Sequence, residues 1–223
     1  PCLKNGDCEL QEVAARLDID DVRITGKSQS TYKLDNTYTL VRDMNKCIMC
    51  RRCETMCNEV QKVGALSAVG RGFEAVVMPA FESPLLETRC VHCGQCVAVC
   101  PTGALIQKDA TWDVIDAIAD PEKVVVVQTA PSVRVAIGEP FGMEAGSIAT
   151  GKMVTALRMI GFDHVYDTDF SADLTIMEEG TELLQRLRRH LAGEEGPLPI
   201  FTSCCPAWAN FYETQYSDLL QHP

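Results

Sequence analysis

The chain has 223 residues, a formal net charge of −11 at neutral pH and 46% hydrophobic residues. This length is enough for one or two domains with an apolar core. The acidic balance argues against a nucleic-acid-binding surface, and no apolar run approaches the roughly 20 residues that a membrane-spanning helix needs. We therefore expect a globular protein that binds no nucleic acid and has no membrane span.

The N-terminal segment contains two cysteines, Cys2 and Cys8, followed by a helical apolar pattern. Leu10, Val13 and Leu17 recur at the spacing of one helix face, which predicts a short amphipathic helix. Two cysteines cannot complete a metal cluster. Their spacing alone is equally compatible with ordinary thiols or a disulfide.

The most specific pattern in the chain is a pair of cysteine motifs with one spacing. The copies are Cys47-x2-Cys50-x2-Cys53-x3-Cys57 and Cys90-x2-Cys93-x2-Cys96-x3-Cys100. This is the spacing of two-cluster bacterial ferredoxins, in which the fourth cysteine of each run binds the other 4Fe-4S cluster. The pattern predicts one cluster on Cys47, Cys50, Cys53 and Cys100, and a second on Cys90, Cys93, Cys96 and Cys57.

Zinc sites and disulfides are the alternatives for this pattern. Zinc sites usually take two cysteines from each of two knuckles, and three cysteines within seven residues exceed that need. Disulfide frameworks belong to small secreted domains. Because cluster ligands must stay reduced, we expect a cytoplasmic protein, with a periplasmic redox protein as the alternative.

Basic residues flank the first motif, among them Arg42, Lys46, Arg51 and Arg52. Positive charge near an iron–sulfur cluster favours its reduced, more negative state and raises its reduction potential. Exposed charges are screened by salt, so an ordinary solvated surface is an equal alternative.

The predicted elements change character along the chain. Residues 41–110 are expected to form an α+β ferredoxin-like module, with a helix after the first motif (54–63) and a hairpin over 69–78. Residues 1–40 precede this module, and residues 111–223 are the part of the chain with an α/β pattern. That part alternates strands at 124–128, 164–166 and 199–202 with helices at 147–161, 174–191 and 208–220.

This alternation predicts a parallel sheet with covering helices. The β-branched run over 124–128 fits a strand that is buried on both faces, and Gly161 suits the C-terminal cap of the preceding helix.

Residues 202–208, Thr-Ser-Cys-Cys-Pro-Ala-Trp, lie where a predicted strand ends and a helix begins. Ligands bind at such positions in open α/β sheets. Because the side chains of adjacent cysteines diverge, one of Cys204 and Cys205 is expected to be a metal ligand and the other a free thiol that carries a proton. Two buried structural cysteines are the alternative.

Together these segments resemble FeFe hydrogenases, which interconvert protons and hydrogen at a six-iron H-cluster. Besides residues 202–208, the resemblance rests on residues 129–134, Thr-Ala-Pro-Ser-Val-Arg, and on residues 167–173 and 177–179. It implies that Cys204 passes protons to the diiron centre and that Cys205 binds the 4Fe-4S part of the H-cluster.

The resemblance further implies that Ala130, Pro131 and Ser132 line the diiron centre and that Glu179, Glu182 and Arg186 form a proton route to the surface. The last three residues lie at i, i+3 and i+7 of a predicted helix, so a relay is geometrically possible. On the pattern alone, a solvated helix face with a Glu182–Arg186 ion pair is the alternative.

Residues 2–11 resemble the end of a cluster loop with one histidine and three cysteine ligands, found in NADH dehydrogenases and NAD(P)-linked hydrogenases. This implies that residues 1–40 are the remnant of an N-terminal cluster region followed by a linker, with Cys2 and Cys8 among the ligands of a further 4Fe-4S cluster. It also implies a redox partner, either ferredoxin or NAD(P)H-oxidising flavoprotein or iron–sulfur subunits.

The resemblance also sets a limit on what these residues do alone. The H-cluster of the family needs three further cysteines, and none follows Cys205. We therefore expect the chain to be a fragment of a longer enzyme that is inactive in isolation. Alternatives are a non-catalytic electron-transfer subunit and a hydrogenase-like iron–sulfur assembly factor. Such assembly factors generally lack the counterpart of Cys204.

Overall fold

The computed structural model describes residues 2–24, 26, 34–194, 196 and 198–223. The chain forms two compact units: residues 1–108 with 203–220, and residues 109–202 with 221–223. The segment 203–220 therefore lies with the first unit, although it follows the second in sequence. The domain boundaries inferred from the sequence stay predictions.

The first unit combines short antiparallel strands with short helices. Its strands are β1 (Asp35–Asn36), β2 (Leu40–Arg42), β3 (Ser67–Val69), β4 (Val76–Met78) and β5 (Leu105–Gln107). β2 lies between β1 and β5 in one antiparallel sheet, and β3 and β4 form the hairpin that the sequence predicts. The register places Val41 opposite Ile106 and Ala68 opposite Val77.

The helices of residues 1–108 are α1 (Glu9–Arg16), α2 (Arg52–Thr55) and α3 (Gln95–Ala98), and α2 continues as a wider π-type turn over Met56–Val60. Single 3-10 turns occur at Met44–Lys46, Gly72–Glu74, Ala80–Glu82 and Leu85–Glu87. The helix predicted after residue 8 is confirmed as α1, and the one predicted after the first cysteine motif is confirmed as α2 and its π-type extension.

The core of the first unit lies between the hairpin, the β1–β2–β5 sheet and the cysteine loops. Its buried apolar side chains are Leu40, Met44, Leu66, Val76, Val77, Met78, Leu85, Ala104 and Leu105. Six motif cysteines pack against this core: Cys47, Cys53, Cys57, Cys90, Cys96 and Cys100. Each fully buried leucine side chain contributes about 2 kcal/mol of transfer free energy, so the apolar core fixes the loops that carry the thiols.

The second unit contains α4 (Thr111–Ala119), β6 (Val126–Thr129), α5 (Thr150–Ile160), β7 (His164–Asp167) and α6 (Thr168–Leu191), with 3-10 turns at Pro131–Val135 and Glu139–Phe141. β6 and β7 pair in parallel, with Val127 opposite Val165, which confirms the predicted parallel sheet. Gly161 ends α5 with a φ of 120°, a conformation that favours glycine.

Three predicted details of the second unit are wrong. Residues 199–202 form no strand, because the N–H of Phe201 donates to the carbonyl of His222 (3.3 Å) instead of a neighbouring strand. β6 is not buried on both faces, since the side chain of Val126 is 52% exposed. α6 begins six residues earlier than expected, because Asp167 accepts a hydrogen bond from the N–H of Asp169 (3.0 Å) and caps the helix.

The last helix, α7 (Pro206–Gln215), is followed by a 3-10 turn at Ser217–Leu219. Pro206 occupies its first turn, where the missing N–H costs nothing. The hydroxyl of Tyr212 donates to the carbonyl of Leu219 (2.6 Å) and ties the turn back to the helix. Among the helices that the structure describes, none has the length and apolar content needed to cross a bilayer.

Candidate metal centres

Two cavities in the first unit bring the eight motif cysteines together in crossed sets. The first cavity is lined by Cys47, Cys50, Cys53 and Cys100. The second cavity is lined by Cys57, Cys90, Cys93 and Cys96. Leu66 lines both, so core side chains separate them. Each cavity thus receives three cysteines from one motif and the fourth from the other.

The two cysteine loops share an unusual backbone conformation. The third and fifth positions of each motif have positive φ: Met49 (55°) and Arg51 (60°) in the first, and His92 (55°) and Gly94 (75°) in the second. Non-glycine residues with positive φ are uncommon, and such strained residues cluster at functional sites. The repeated left-handed turns bring three successive cysteines of each loop to one cavity.

Two of the thiols that line the cavities, Cys53 and Cys96, have strongly raised pKa values. Burial, reinforced by the neighbouring thiols, raises the pKa of each to about 12. Without a bound cation these groups therefore remain neutral thiols at pH 7. Because metal ligation requires thiolates, filling either cavity with an iron cluster releases protons.

The donor set of both cavities fits an iron–sulfur cluster. Four soft sulfur ligands line each cavity, and most of the other lining residues are apolar. Backbone N–H groups donate to ligand sulfurs, from Met49 to Cys47 (3.4 Å) and from Ala65 to Cys57 (3.3 Å). Hydrogen bonds to sulfur and a hydrophobic surround are the means by which proteins tune such clusters. Within the described part of the chain, no three Cys, His, Asp or Glu side chains are grouped to hold a single metal ion.

Helix α7 packs next to the second cavity. Its residues Ala207 and Phe211 contact a small cluster of buried side chains, and Cys57 and Cys90 pack against the same cluster. The members of this cluster are Val63, Ala65 and Val91. The second set of cysteines and the start of α7 are therefore parts of one packed region.

Cys204 and Cys205 lie immediately before α7. Both thiols are exposed, in contrast to the alternative of two buried structural cysteines. Cys205 is the N-cap of α7, and its N–H donates to the hydroxyl of Ser203 (3.1 Å). This hydrogen bond helps to fix the backbone of Cys205 at the start of α7, the helix whose residues Ala207 and Phe211 pack beside the second cavity.

The loop between Cys2 and Cys8 lies beside the end of the second motif. Cys2 is exposed and Cys8 is half-buried. The N–H of Glu9 donates to the carbonyl of Pro101 (3.0 Å). A β-carbon at Gly103 would approach the sulfur of Cys2 to 2.7 Å, so the absence of a side chain there permits the contact. The structure does not bring Cys2 or Cys8 into either cavity.

In the second unit, Ala130–Ser132 forms an exposed loop after β6. The loop is held by Arg134, whose Nε donates to the carbonyl of Pro131 (2.8 Å). The guanidinium also pairs with Asp167 (2.6 Å) and Asp169 (3.0 Å), and it holds the pKa of Asp167 below its usual range. Sequence reasoning assigned Arg134 no contact; the acidic pair at the start of α6 is the signal that could have identified its partners.

The side chains of Glu179, Glu182 and Arg186 follow one another along α6. Glu182 and Arg186 form the ion pair that the sequence offered as the alternative reading. Arg186 also donates to the carbonyls of His222 (3.2 Å) and Pro223 (3.1 Å), and Glu179 is exposed. The arrangement places two carboxylates and one guanidinium in a row along the helix, with Glu182 and Arg186 in direct contact.

Two protein-family models match the chain. One describes the C-terminal domain of the iron only hydrogenase large subunit and matches residues 123–223; the other describes a 4Fe-4S dicluster domain and matches residues 46–104. The second match contains both cysteine motifs and the first contains Cys204 and Cys205. The two matches share no residues.

Several characterised proteins are similar over all or most of the chain. It is 58% identical over its whole length to the NADP-reducing hydrogenase subunit HndD of Solidesulfovibrio fructosivorans, and 37% identical over its whole length to iron hydrogenase 1 of Clostridium pasteurianum. It is 38% identical, over 61% of its length, to the periplasmic [Fe] hydrogenase large subunit of Nitratidesulfovibrio vulgaris.

The chain spans 38% of the length of the first two relatives and 39% of the third. Over that span the similarity includes the 4Fe-4S domain, whose cysteines line the two cavities, and the segment with the vicinal cysteines before α7. The chain therefore binds 4Fe-4S iron–sulfur groups and belongs to the iron-only hydrogenase large-subunit family.

Proposed function

We propose that this chain is the electron-delivery region and the first part of the active-site domain of an FeFe hydrogenase catalytic subunit. In this proposal one 4Fe-4S cluster is held by Cys47, Cys50, Cys53 and Cys100, and a second by Cys57, Cys90, Cys93 and Cys96. The ligands of the H-cluster begin at Cys205. The H-cluster, when bound, supplies the reversible reduction of two protons to hydrogen.

One observation carries this proposal: the second cysteine cavity and the start of α7 share a packed apolar cluster. A ligand at Cys205 then lies on the element that adjoins the second set of cysteines. Electrons that leave the Cys57 set therefore have a short route to a group held by Cys205. The Cys47 set lies farther along this route and is next to the N-terminal loop that contacts Pro101.

The protein residues have separate tasks in this proposal. The Cys205 thiolate binds the 4Fe-4S part of the H-cluster, and Cys204 keeps a free thiol that accepts and donates a proton. Arg134 fixes the loop Ala130–Ser132 through the carbonyl of Pro131, and Ala130, Pro131 and Ser132 would line the diiron centre. Glu182 and Glu179 carry protons along α6, and Arg186 orients Glu182.

The proposed redox partner is NAD(P)H-linked. The similarity to a protein named as a subunit of an NADP-reducing hydrogenase supports a flavoprotein or iron–sulfur partner that oxidises NAD(P)H, with ferredoxin as the other choice. The Cys2–Cys8 loop lies beside the first set of cysteines, where a further N-terminal cluster would deliver electrons. A reducing cytoplasm is the proposed location, since the ligand thiols must stay reduced.

Paired alanine variants of the anaerobically reconstituted chain test the crossed ligand sets. Two 4Fe-4S clusters correspond to about eight irons per chain. We expect Cys50→Ala/Cys100→Ala to remove two ligands of one cluster and to keep about four irons. Cys50→Ala/Cys57→Ala removes one ligand from each cluster and is expected to disturb both EPR signals. The opposite pattern would show uncrossed sets, and stoichiometric zinc would contradict the proposal.

The vicinal cysteines are tested in the hydrogenase to which these residues belong. We expect Cys204→Ala to keep the infrared and EPR signals of the H-cluster but to lose turnover, because only proton transfer is interrupted. Cys205→Ala is expected to lose those signals, because a ligand is missing. Equal spectra and equal turnover in both variants would contradict the assigned roles.

A further inference from the structure

A buried ion pair lies between the two cysteine cavities of the first unit. Arg42, at the end of β2, lines the first cavity and pairs with Asp35 of β1 at 3.2 Å between Nε and Oδ2. The two side chains are only 7% and 12% exposed. Arg42 also donates to the carbonyl of Val77, another residue that lines the first cavity. The positive end of the pair is therefore at the first cavity.

The negative end of the pair is directed to the second cavity. The carboxylate of Asp35 accepts a hydrogen bond from the N–H of Leu85 (3.0 Å), and Leu85 lines the second cavity. One ion pair thus presents opposite charges to the two cysteine sets.

The burial of this pair distinguishes it from the other charges near the motifs. Lys46 and Arg52 are 41% and 50% exposed at their side chains, and salt screens exposed charges beyond about 10 Å. Arg51, 61% exposed, is neutralised locally by Glu54 (2.6 Å). A charge in a low-dielectric wall acts with several times the strength of a charge in water. The charges of the Arg42–Asp35 pair are therefore less screened by solvent than these other charges near the motifs.

We propose that the Arg42–Asp35 pair sets the order of the two reduction potentials, so that the cluster on the Cys47 set is reduced before the cluster on the Cys57 set. The inference rests on the two-cluster assignment of the proposed function. Each reduction adds one electron and one negative charge to a cluster and transfers no atom. Arg42 stabilises that added charge in the first cavity, and Asp35 destabilises it in the second.

This order gives the electron path a direction. An electron that enters at the Cys57 set, next to α7, moves to the Cys47 set with a favourable free energy. The pair therefore assists electron flow away from Cys205, which is the direction of hydrogen oxidation. Arg42 and Asp35 act through the clusters and are positioning residues for electron transfer.

The test is an EPR-monitored redox titration of the anaerobically reconstituted full chain and of Arg42→Gln/Asp35→Asn. We expect the equilibrium distribution of one electron to shift about tenfold toward the second cluster, a change of about 59 mV for a one-electron couple. The variants Cys50→Ala/Cys100→Ala and Cys57→Ala/Cys93→Ala each keep one cluster and identify which signal belongs to which cavity. Arg42→Lys keeps the charge and is expected to preserve the wild-type order.

Two controls separate this effect from structural damage. Lys123→Gln/Asp120→Asn removes a more exposed ion pair that also joins one basic and one acidic side chain, and it is expected to leave both potentials unchanged. Arg42→Met/Asp35→Leu replaces the buried pair with apolar side chains, a change that proteins often tolerate. This variant should reduce the difference between the two reduction potentials, as Arg42→Gln/Asp35→Asn does. If both reduction potentials shift by the same amount, or if their difference stays unchanged in folded variants, the inference is wrong. A wild-type chain with about four irons would instead overturn the two-cluster assignment itself.

Discussion

The cysteine cavities of the first unit and the hydrogenase-like segments of the second are built on different principles. In the first unit the chemically active side chains belong to the apolar core, and Leu66 packs between both sets of thiols. In the second unit the loop Ala130–Ser132 and the side chains of Glu179 and Glu182 are exposed, and local polar contacts hold the loop and Glu182. The first arrangement couples ligand binding to folding; the second allows residues to be changed with little cost in stability.

The largest expected difference between the units concerns iron removal. Because the thiols of the first unit form part of its core, chelating the iron under reducing conditions should loosen both cysteine loops and the hairpin β3–β4. We expect amide hydrogen exchange to rise by orders of magnitude in peptides over residues 47–107. Peptides over α5 and α6 should change little. Equal loss of protection in both units would contradict this comparison.

Replacing a core leucine should reveal almost as large a difference in stability between the two units. Leu66 is 3% exposed and lines both cavities, so Leu66→Ala is expected to cost about 2–5 kcal/mol of unfolding free energy and to admit water to both cavities. Leu187→Ala on α6, where the side chain is 40% exposed, should cost less than about 1 kcal/mol. Chemical denaturation of the iron-loaded chain measures both. Similar losses would show that the thiol-bearing core is no more dependent on packing than α6.

The sequence predicts the first unit better than the second for a physical reason. Short spacers confine Cys47, Cys50 and Cys53 to one loop, and the repeated motif predicts that Cys100 of the other loop completes the set. The buried pair of Arg42 and Asp35 was not predicted, because it depends on the pairing of strand β1 with β2. In the second unit, the predicted strand at 199–202 failed since its apolar pattern cannot reveal that His222 supplies its hydrogen-bond partners.

A smaller effect is expected at Glu54, a buried carboxylate of α2. It accepts hydrogen bonds from Arg51 (2.6 Å) and from the N–H of Ala68 in β3 (3.1 Å), so Glu54→Gln should cost about 1–2 kcal/mol. Arg51 lowers the pKa of Glu54. The stabilisation is therefore complete above the ordinary glutamate pKa of about 4.3 and is lost as the pH falls through the lower folded-state value.

Denaturation of both proteins at pH 7 and at successively lower pH checks this prediction. The difference between wild type and Glu54→Gln should shrink below about pH 4. Glu59→Gln, an exposed change just after α2, is the matched control and should have no pH-dependent effect. If the difference in unfolding free energy between the two proteins were the same at all pH values, the stabilisation would not depend on the charge of Glu54.

Removing the anchor of the loop after β6 should have an effect confined to that loop. Arg134→Gln breaks the contacts to Pro131, Asp167 and Asp169, so amide exchange over residues 130–136 should accelerate while the first unit keeps its protection. Arg158→Gln, an exposed arginine on α5, is the control. Accelerated exchange throughout the second unit would mean that Arg134 supports the whole unit rather than the loop.

The smallest stability effect and the sharpest functional one are expected together at Glu182. Its pairing with Arg186 is an exposed i,i+4 contact worth about 0.3–0.5 kcal/mol, so Glu182→Gln should unfold almost as wild type does. If Glu182 carries protons, hydrogen turnover of the enzyme that contains these residues should fall by about 100-fold or more, because a glutamine side chain cannot take up and release a proton. Glu178→Gln, exposed on the same helix, should leave turnover unchanged. Unchanged turnover in both variants would identify this side of α6 as a solvated surface and remove it from the proton route.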